Sequence, residues 1–136
     1  MTMQTIIESR EFAQFLAGYT TALLWSSTDD VDGETVNLDL YPVSTQAADH
    51  CRADCLAFFK ANAADLAEAA PLYVSVQGSS GYAMAGHDFA LTRNGHGAGF
   101  WDGDLPEALG ERLTAASKKV GECYPCVGDD YHFYID

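Results

Sequence analysis

Between Gly86 and Asp102 the chain reads GHDFALTRNGHGAGFWD, which gathers His87, Asp88, Arg93, His96 and Asp102 around one Asn-Gly step. Imidazoles and carboxylates at this density suggest acid–base chemistry. His87 would be a base oriented by Asp102, with Asp88 or His96 helping to hold a metal or a water. The backbone between them decides whether they meet. Asn94-Gly95 is a strong short signal for a β-hairpin, because a type I′ turn needs positive φ at both central residues. In that register Phe89 faces Phe100, Leu91 faces Ala98, His87 faces Asp102 and Arg93 faces His96. The two histidines then stand at opposite ends of the hairpin, too far apart to share a metal. No HExxH, GxSxG or phosphate-loop pattern accompanies them, and no nucleophile is positioned. The expectation is an architectural hairpin whose His87–Asp102 pair closes the sheet edge. His87, Asp102, Asp88 and His96 are the residues a His/Asp-dependent or metal-assisted hydrolase would use, and an enzyme is the less favoured reading.

The cysteines offer a second chemistry. Cys51 and Cys55 lie one helical turn apart, and Cys123 and Cys126 form a CxxC, so the four could surround a zinc ion. On a strand, however, positions 123 and 126 point to opposite faces. A redox CxxC opens a helix after a strand, whereas this one follows a helix. Free thiols are expected, with no metal and no cofactor. The run Asp29-Asp30-Val31-Asp32-Gly33-Glu34 invites calcium. Aligning Asp32-Gly33 with an EF-hand turn puts Thr28 at the first ligand position and Asp39 where a bidentate Glu belongs, and Pro42 opposes an exiting helix.

The rest of the chain must position these groups. Its 136 residues are 48% hydrophobic and 12% aromatic, enough for one core in a single domain spanning 1–136. Ser9 caps a helix carrying Phe12, Phe15, Leu16, Tyr19 and Leu23. Ser44 or Thr45 caps a second, with Ala48, Cys51, Cys55, Phe58, Phe59 and Leu66 as its buried stripe up to Pro71. Gly78 to Gly81 reads as a loop. Asp104 and Glu107 form a capping box around Pro106 for a third helix, lined by Leu105, Leu109, Leu113, Ala116 and Val120 and closed by Gly121. Cys123 to Val127 reads as an edge strand. After a Gly128-Asp129-Asp130 turn, Tyr131, Phe133 and Ile135 alternate along another. The predicted class is α+β: three helices with a small antiparallel sheet, in the order α-α-β-β-α-β-β.

Twenty acidic residues against seven basic ones give a net charge of −13, which opposes direct binding of nucleic acid. Asp29 to Pro42 reads as a long acidic loop with a short extended piece. Asp29, Asp30, Asp32, Glu34 and Asp39 concentrate there, and through Asp49 Arg10 is the sole basic residue. Carboxylates so spaced suit the Lys and Arg side chains with which a basic protein holds phosphates, so these five are the expected partner surface. No stretch approaches the ~20 apolar residues that cross a bilayer. Met1 to Glu8 carries no basic segment ahead of an apolar run. A cytoplasmic protein without membrane association is expected.

Trp25-Ser26-Ser27-Thr28-Asp29-Asp30, Asp54-Cys55 with Phe58 and Asn62, the GHDFALTRNGHGAGFWD block, Leu113-Thr114, Gly121-Glu122 and Val127-Gly128-Asp129-Asp130 follow one another along the chain. In this pattern the sequence resembles a family of small acidic uncharacterised proteins encoded by tailed bacteriophages and prophages. It departs from them at Ala90, where the family usually has Trp, and at Pro125-Cys126, where it tends to have Leu-Tyr. The second departure weakens any zinc site built on Cys126. The resemblance supplies a phage or prophage context and no activity; the favoured reading is an accessory protein acting in the host cytoplasm by binding a host or phage macromolecule. A protein partner is expected, in particular a basic nucleic-acid-binding protein of a defence system that the carboxylates would inhibit as a DNA mimic. A virion or replication accessory role is the alternative beside the hydrolase.

Overall fold

The first half of the expected hairpin folds as a helix. The computed structural model describes residues 2, 5, 6, 9–73 and 80–136. Along them run α1 (Arg10–Trp25), β1 (Thr28–Val31), β2 (Glu34–Asn37), a 3-10 turn (Leu38–Leu40), α2 (Thr45–Ala61) and α3 (Ala63–Ala69). A second 3-10 turn (Ala70–Leu72), α4 (Gly81–Arg93), α5 (Glu107–Val120), β3 (Pro125–Val127) and β4 (Phe133–Ile135) complete the order. The described residues thus hold five helices and two separate two-stranded antiparallel sheets. The architecture is an α+β mix, but the predicted three helices, single sheet and element order are overturned.

The largest difference lies in the Gly86–Asp102 block. Ser80 accepts the Ala83 N–H and starts α4, so Ser80 and Gly81 belong to a helix, while Gly78 and Ser79 lie outside the described residues. At the far end Gly95 adopts φ 71°. Its N–H donates to the Thr92 carbonyl and the His96 N–H donates to Leu91, the paired bonds that close a helix through a left-handed glycine. Asn94-Gly95 is therefore a helix stop. The type I′ turn lies elsewhere. Asp32 (φ 52°) and Gly33 (φ 85°) join β1 to β2, with Val31 paired to Glu34 and Thr28 to Asn37. What reads as a long loop from Asp29 to Pro42 is a β-hairpin followed by a 3-10 turn.

Helix α4 packs tightly on α1. A Cβ on Gly18 would overlap the Ala83 carbonyl, and one on Gly86 would overlap the carbonyl of Phe15. The backbones approach closely because these positions carry no side chain. Around the contact, Phe58 stacks on Phe89 with ring centroids 3.9 Å apart, and Phe15 meets both. Helix α1 starts at Ser9 as predicted, its Oγ accepting from the Phe12 N–H. Helix α2 starts at Ser44 but breaks at Asn62, whose side-chain amide donates to the Phe58 carbonyl and competes with the ladder. Leu66 is buried from the separate α3. Helix α5 begins at Pro106 with no side-chain cap, so the Asp104–Glu107 capping box is absent, and Val120 is exposed.

The C-terminal strands pair Pro125 with Ile135 and Val127 with Phe133. Tyr131 lies in their turn rather than in a strand. Val43 bridges Phe133 in parallel. The Val127 N–H donates to Asp29 Oδ2 at 2.8 Å, which fastens the first hairpin to the second.

Candidate functional site

Asp88, Thr92 and Arg93 of the Gly86–Asp102 block point inward, while Asp102 is exposed. Arg93 is buried; its Nε donates to the Gly121 carbonyl (2.9 Å), and its Nη1 donates to Tyr19 Oη (2.9 Å) and Asp54 Oδ2 (2.6 Å). Burial opposes its charge, but Tyr19 and Asp54 outweigh that and hold the guanidinium protonated. Asp88 is buried too and accepts a 2.7 Å bond from Tyr73 Oη. Burial first, then that carboxylate, pushes the Tyr73 phenol up. His87 lies against Trp25 with the rings tilted by 36° and their centroids 5.4 Å apart, and its Nδ1 lies 3.6 Å from Asp88 Oδ1, beyond a hydrogen bond. Asp102 instead accepts from the Gly99 N–H at 3.3 Å. Among the described residues no ion pair or hydrogen bond joins His87 to Asp102, so the expected sheet-closing pair is not formed. His96 lies in the loop beyond α4, and Arg93 faces Asp54 rather than His96. Asp88, Asp102 and Asp104 lie close enough that burial, then Asp102 and Asp88, push the Asp104 carboxyl up.

Three cysteines gather in the core. Cys51, Cys55 and Cys123 are buried, with Cys123 Sγ 3.9 Å from Tyr19 Oη. Burial, then Cys123, pushes Cys51 up to about 12, and burial followed by Cys51 raises Cys55 well above the usual thiol range. The thiolate is the form that binds metal or attacks, and burial disfavours it. Cys126 stands apart on β3, where burial and then Asp136 and Asp29 raise it. The four do not converge as a Cys₄ set. Among the described residues no group of three or more His, Cys, Asp or Glu is placed to hold a metal ion.

The exposed charge is organised elsewhere. Lys and Arg are absent from residues 11–51 and again from residues 120–136. These two segments supply both hairpins, and the Asp29–Val127 bond sets them side by side. Hydroxyls hold the carboxylates in place. Thr35 Oγ1 donates to Asp30 (2.7 Å), Tyr131 Oη to Asp32 (2.9 Å) and Tyr134 Oη to Asp130 (2.7 Å). The last bond draws Asp130 below the usual carboxylate range. Glu34, Asp39 and Asp129 are exposed beside them. Tyr131 is half exposed at φ 60°, a left-handed conformation that strains a bulky side chain. Its bond to Asp32 raises its phenol. Leu40 and Val43 are also exposed on the segment joining the hairpin to α2.

Of the five predicted partner residues, Asp30, Asp32 and Glu34 lie on the first hairpin, whose register (Asp30 opposite Thr35, Val31 opposite Glu34) directs Asp30 and Glu34 to opposite sides of the strand pair, and Asp39 lies on the adjoining 3-10 turn. Asp29 is structural: its Oδ1 accepts the Asp30 N–H and its Oδ2 the Val127 N–H. Sequence reasoning missed Asp129, Asp130 and Tyr131. The signal was present in the stretch after Lys119, where basic residues stop. Comparisons with protein-family models, with curated proteins and with solved structures find no match to this chain.

Proposed function

We propose that the protein is a small acidic binding protein, of the phage-accessory kind its sequence resembles, whose two-hairpin face engages a basic partner in the cytoplasm. The partner that fits best holds nucleic acid through Lys and Arg. The carboxylates of Asp30, Asp32, Glu34, Asp129 and Asp130 would take the place of phosphates, and inhibition of a nucleic-acid-handling defence complex would follow by competition. The observation that supports this reading is the juxtaposition of two hairpins drawn from the two segments without Lys or Arg. Such a surface steers a basic partner, and like charge keeps nucleic acid away.

The test is comparative affinity capture from bacterial lysate. The bait is either the natural chain or a variant carrying Asp30→Asn, Asp32→Asn, Glu34→Gln and Asp129→Asn. The amides retain acceptor oxygens, so the hydroxyl bonds persist while four charges go. Basic nucleic-acid-binding proteins retained by the first bait and lost from the second support the reading. Equal recovery on both baits refutes it.

A further inference from the structure

At the foot of the acidic hairpin two cavities adjoin, sharing Ser26 and His96. One, of about 370 Å³, is bounded by Trp25, Leu91 and the Gly97-Ala98 backbone. The other, of about 290 Å³, is bounded by Thr28, Glu122, Tyr124 and Pro125. Thr28 is the first residue of β1, so the groove reaches the base of the acidic hairpin. Its floor is fixed. Asn94 at the end of α4 accepts the Cys123 N–H at 2.9 Å and donates to its sulfur, which ties that helix to the strand that follows. Trp25 and Tyr124 are exposed by 44% and 63%. Ser26 Oγ is buried without a hydrogen-bond partner among the described residues.

We infer that this groove binds an extended, arginine-bearing segment of the basic partner. The inference rests on the function proposed above and assigns the site its peptide. A guanidinium is planar and stacks on aromatic rings while pairing with a carboxylate. Tyr124 and Glu122 offer both in one compartment, and no Lys or Arg bounds either cavity. An apolar neighbour of that arginine takes the second compartment, against Trp25 and Leu91. Nucleic acid is disfavoured here because neither cavity carries a Lys or Arg to meet phosphate.

Two fluorescein-labelled peptides test this, GRLGRLGG and its glutamine counterpart GQLGQLGG, by anisotropy at low salt and by the Trp25 indole N–H resonance in NMR spectra. The arginine peptide should bind roughly tenfold more tightly than the glutamine one and shift the Trp25 resonance but not that of Trp101. A variant with Glu122→Gln and Tyr124→Ala should lose roughly tenfold in affinity. Equal binding of the two peptides, no binding of the arginine peptide, or an unmoved Trp25 resonance would each overturn the site. If binding persists in the groove variant and disappears in the four-charge hairpin variant, the groove fails and the acidic face stands. The reverse pattern retains the groove and removes the face.

Discussion

Replacing Arg93 with Met tests whether the Gly86–Asp102 block is framework. Met fills much of the same volume but strands three acceptors: the Gly121 carbonyl, Tyr19 Oη and the Asp54 carboxylate. The Asp54 side chain is 27% exposed and the Arg93 side chain 4%, so water restores only part of what is lost. Removing one partner of a buried pair destabilises by about 3–5 kcal/mol, and the partial exposure of Asp54 puts the expectation near the lower end. Domains of this size hold ~5–15 kcal/mol in all. A loss of about 3 kcal/mol should lower Tm by roughly 10 °C or more. Urea unfolding at pH 7, followed by circular dichroism, gives the number. Arg93→Met should do much less harm in an Asp54→Asn background, where no charge is stranded, with a coupling above ~1 kcal/mol. A loss under ~1 kcal/mol, or strict additivity with Asp54→Asn, would refute the buried-hub account.

Three further outcomes follow from the geometry. Gly86→Val should destabilise by about 1–3 kcal/mol or more, because its Cβ meets the Phe15 backbone, while Gly97→Ala, whose added methyl would enter open space, should stay within ~0.5 kcal/mol; thermal melts that do not separate the two would contradict the α1–α4 contact. Asp104→Asn should raise Tm at pH 7. The folded state binds the Asp104 proton more tightly than the unfolded state, so its charge opposes folding above the raised pKa, and the gain should vanish once pH falls below the ordinary 3.8. A loss of stability at pH 7, or a gain unchanged at acid pH, would speak against the carboxylate cluster. In the native protein Ellman's reagent should label Cys126 promptly and Cys51, Cys55 and Cys123 only on unfolding; two or more prompt thiols would contradict the buried placement.

How much is legible in the sequence depends on whether a residue's role is local. Ser9 and Ser44 declare helix starts because capping is a bond between near neighbours, and Gly121 ends α5 for an equally local reason. Asn94-Gly95 misleads because the same left-handed glycine serves a hairpin turn and a helix stop. The surrounding pattern offers no arbitration, since Asp88 through Arg93 are all buried and a helix without a polar face shows no 3.6-residue period. Asp32-Gly33 does not stand out as a hairpin turn because its flanks, Asp29-Asp30 and Glu34-Thr35, are polar on both sides and lack the apolar alternation that marks a strand. The acidic site is half legible. The carboxylates near Asp30 stand out along the chain, but Asp129 and Asp130 join them only through contacts between residues far apart in sequence, the Asp29–Val127 and Asp32–Tyr131 bonds.

The central claim is that the two hairpins act as one anionic surface, and salt dependence tests it most directly. The Kd of the natural chain for a partner captured on it should be measured from low salt to a few hundred millimolar, beside that of the Asp30→Asn, Asp32→Asn, Glu34→Gln, Asp129→Asn variant. Exposed charges are screened over about 10 Å at 0.1 M, so the natural chain should lose affinity steeply as salt rises. The variant should bind more weakly at low salt, by well over tenfold, and show a much flatter dependence at an unchanged Tm. An affinity that ignores salt, or an equal slope in the two proteins, would contradict the account.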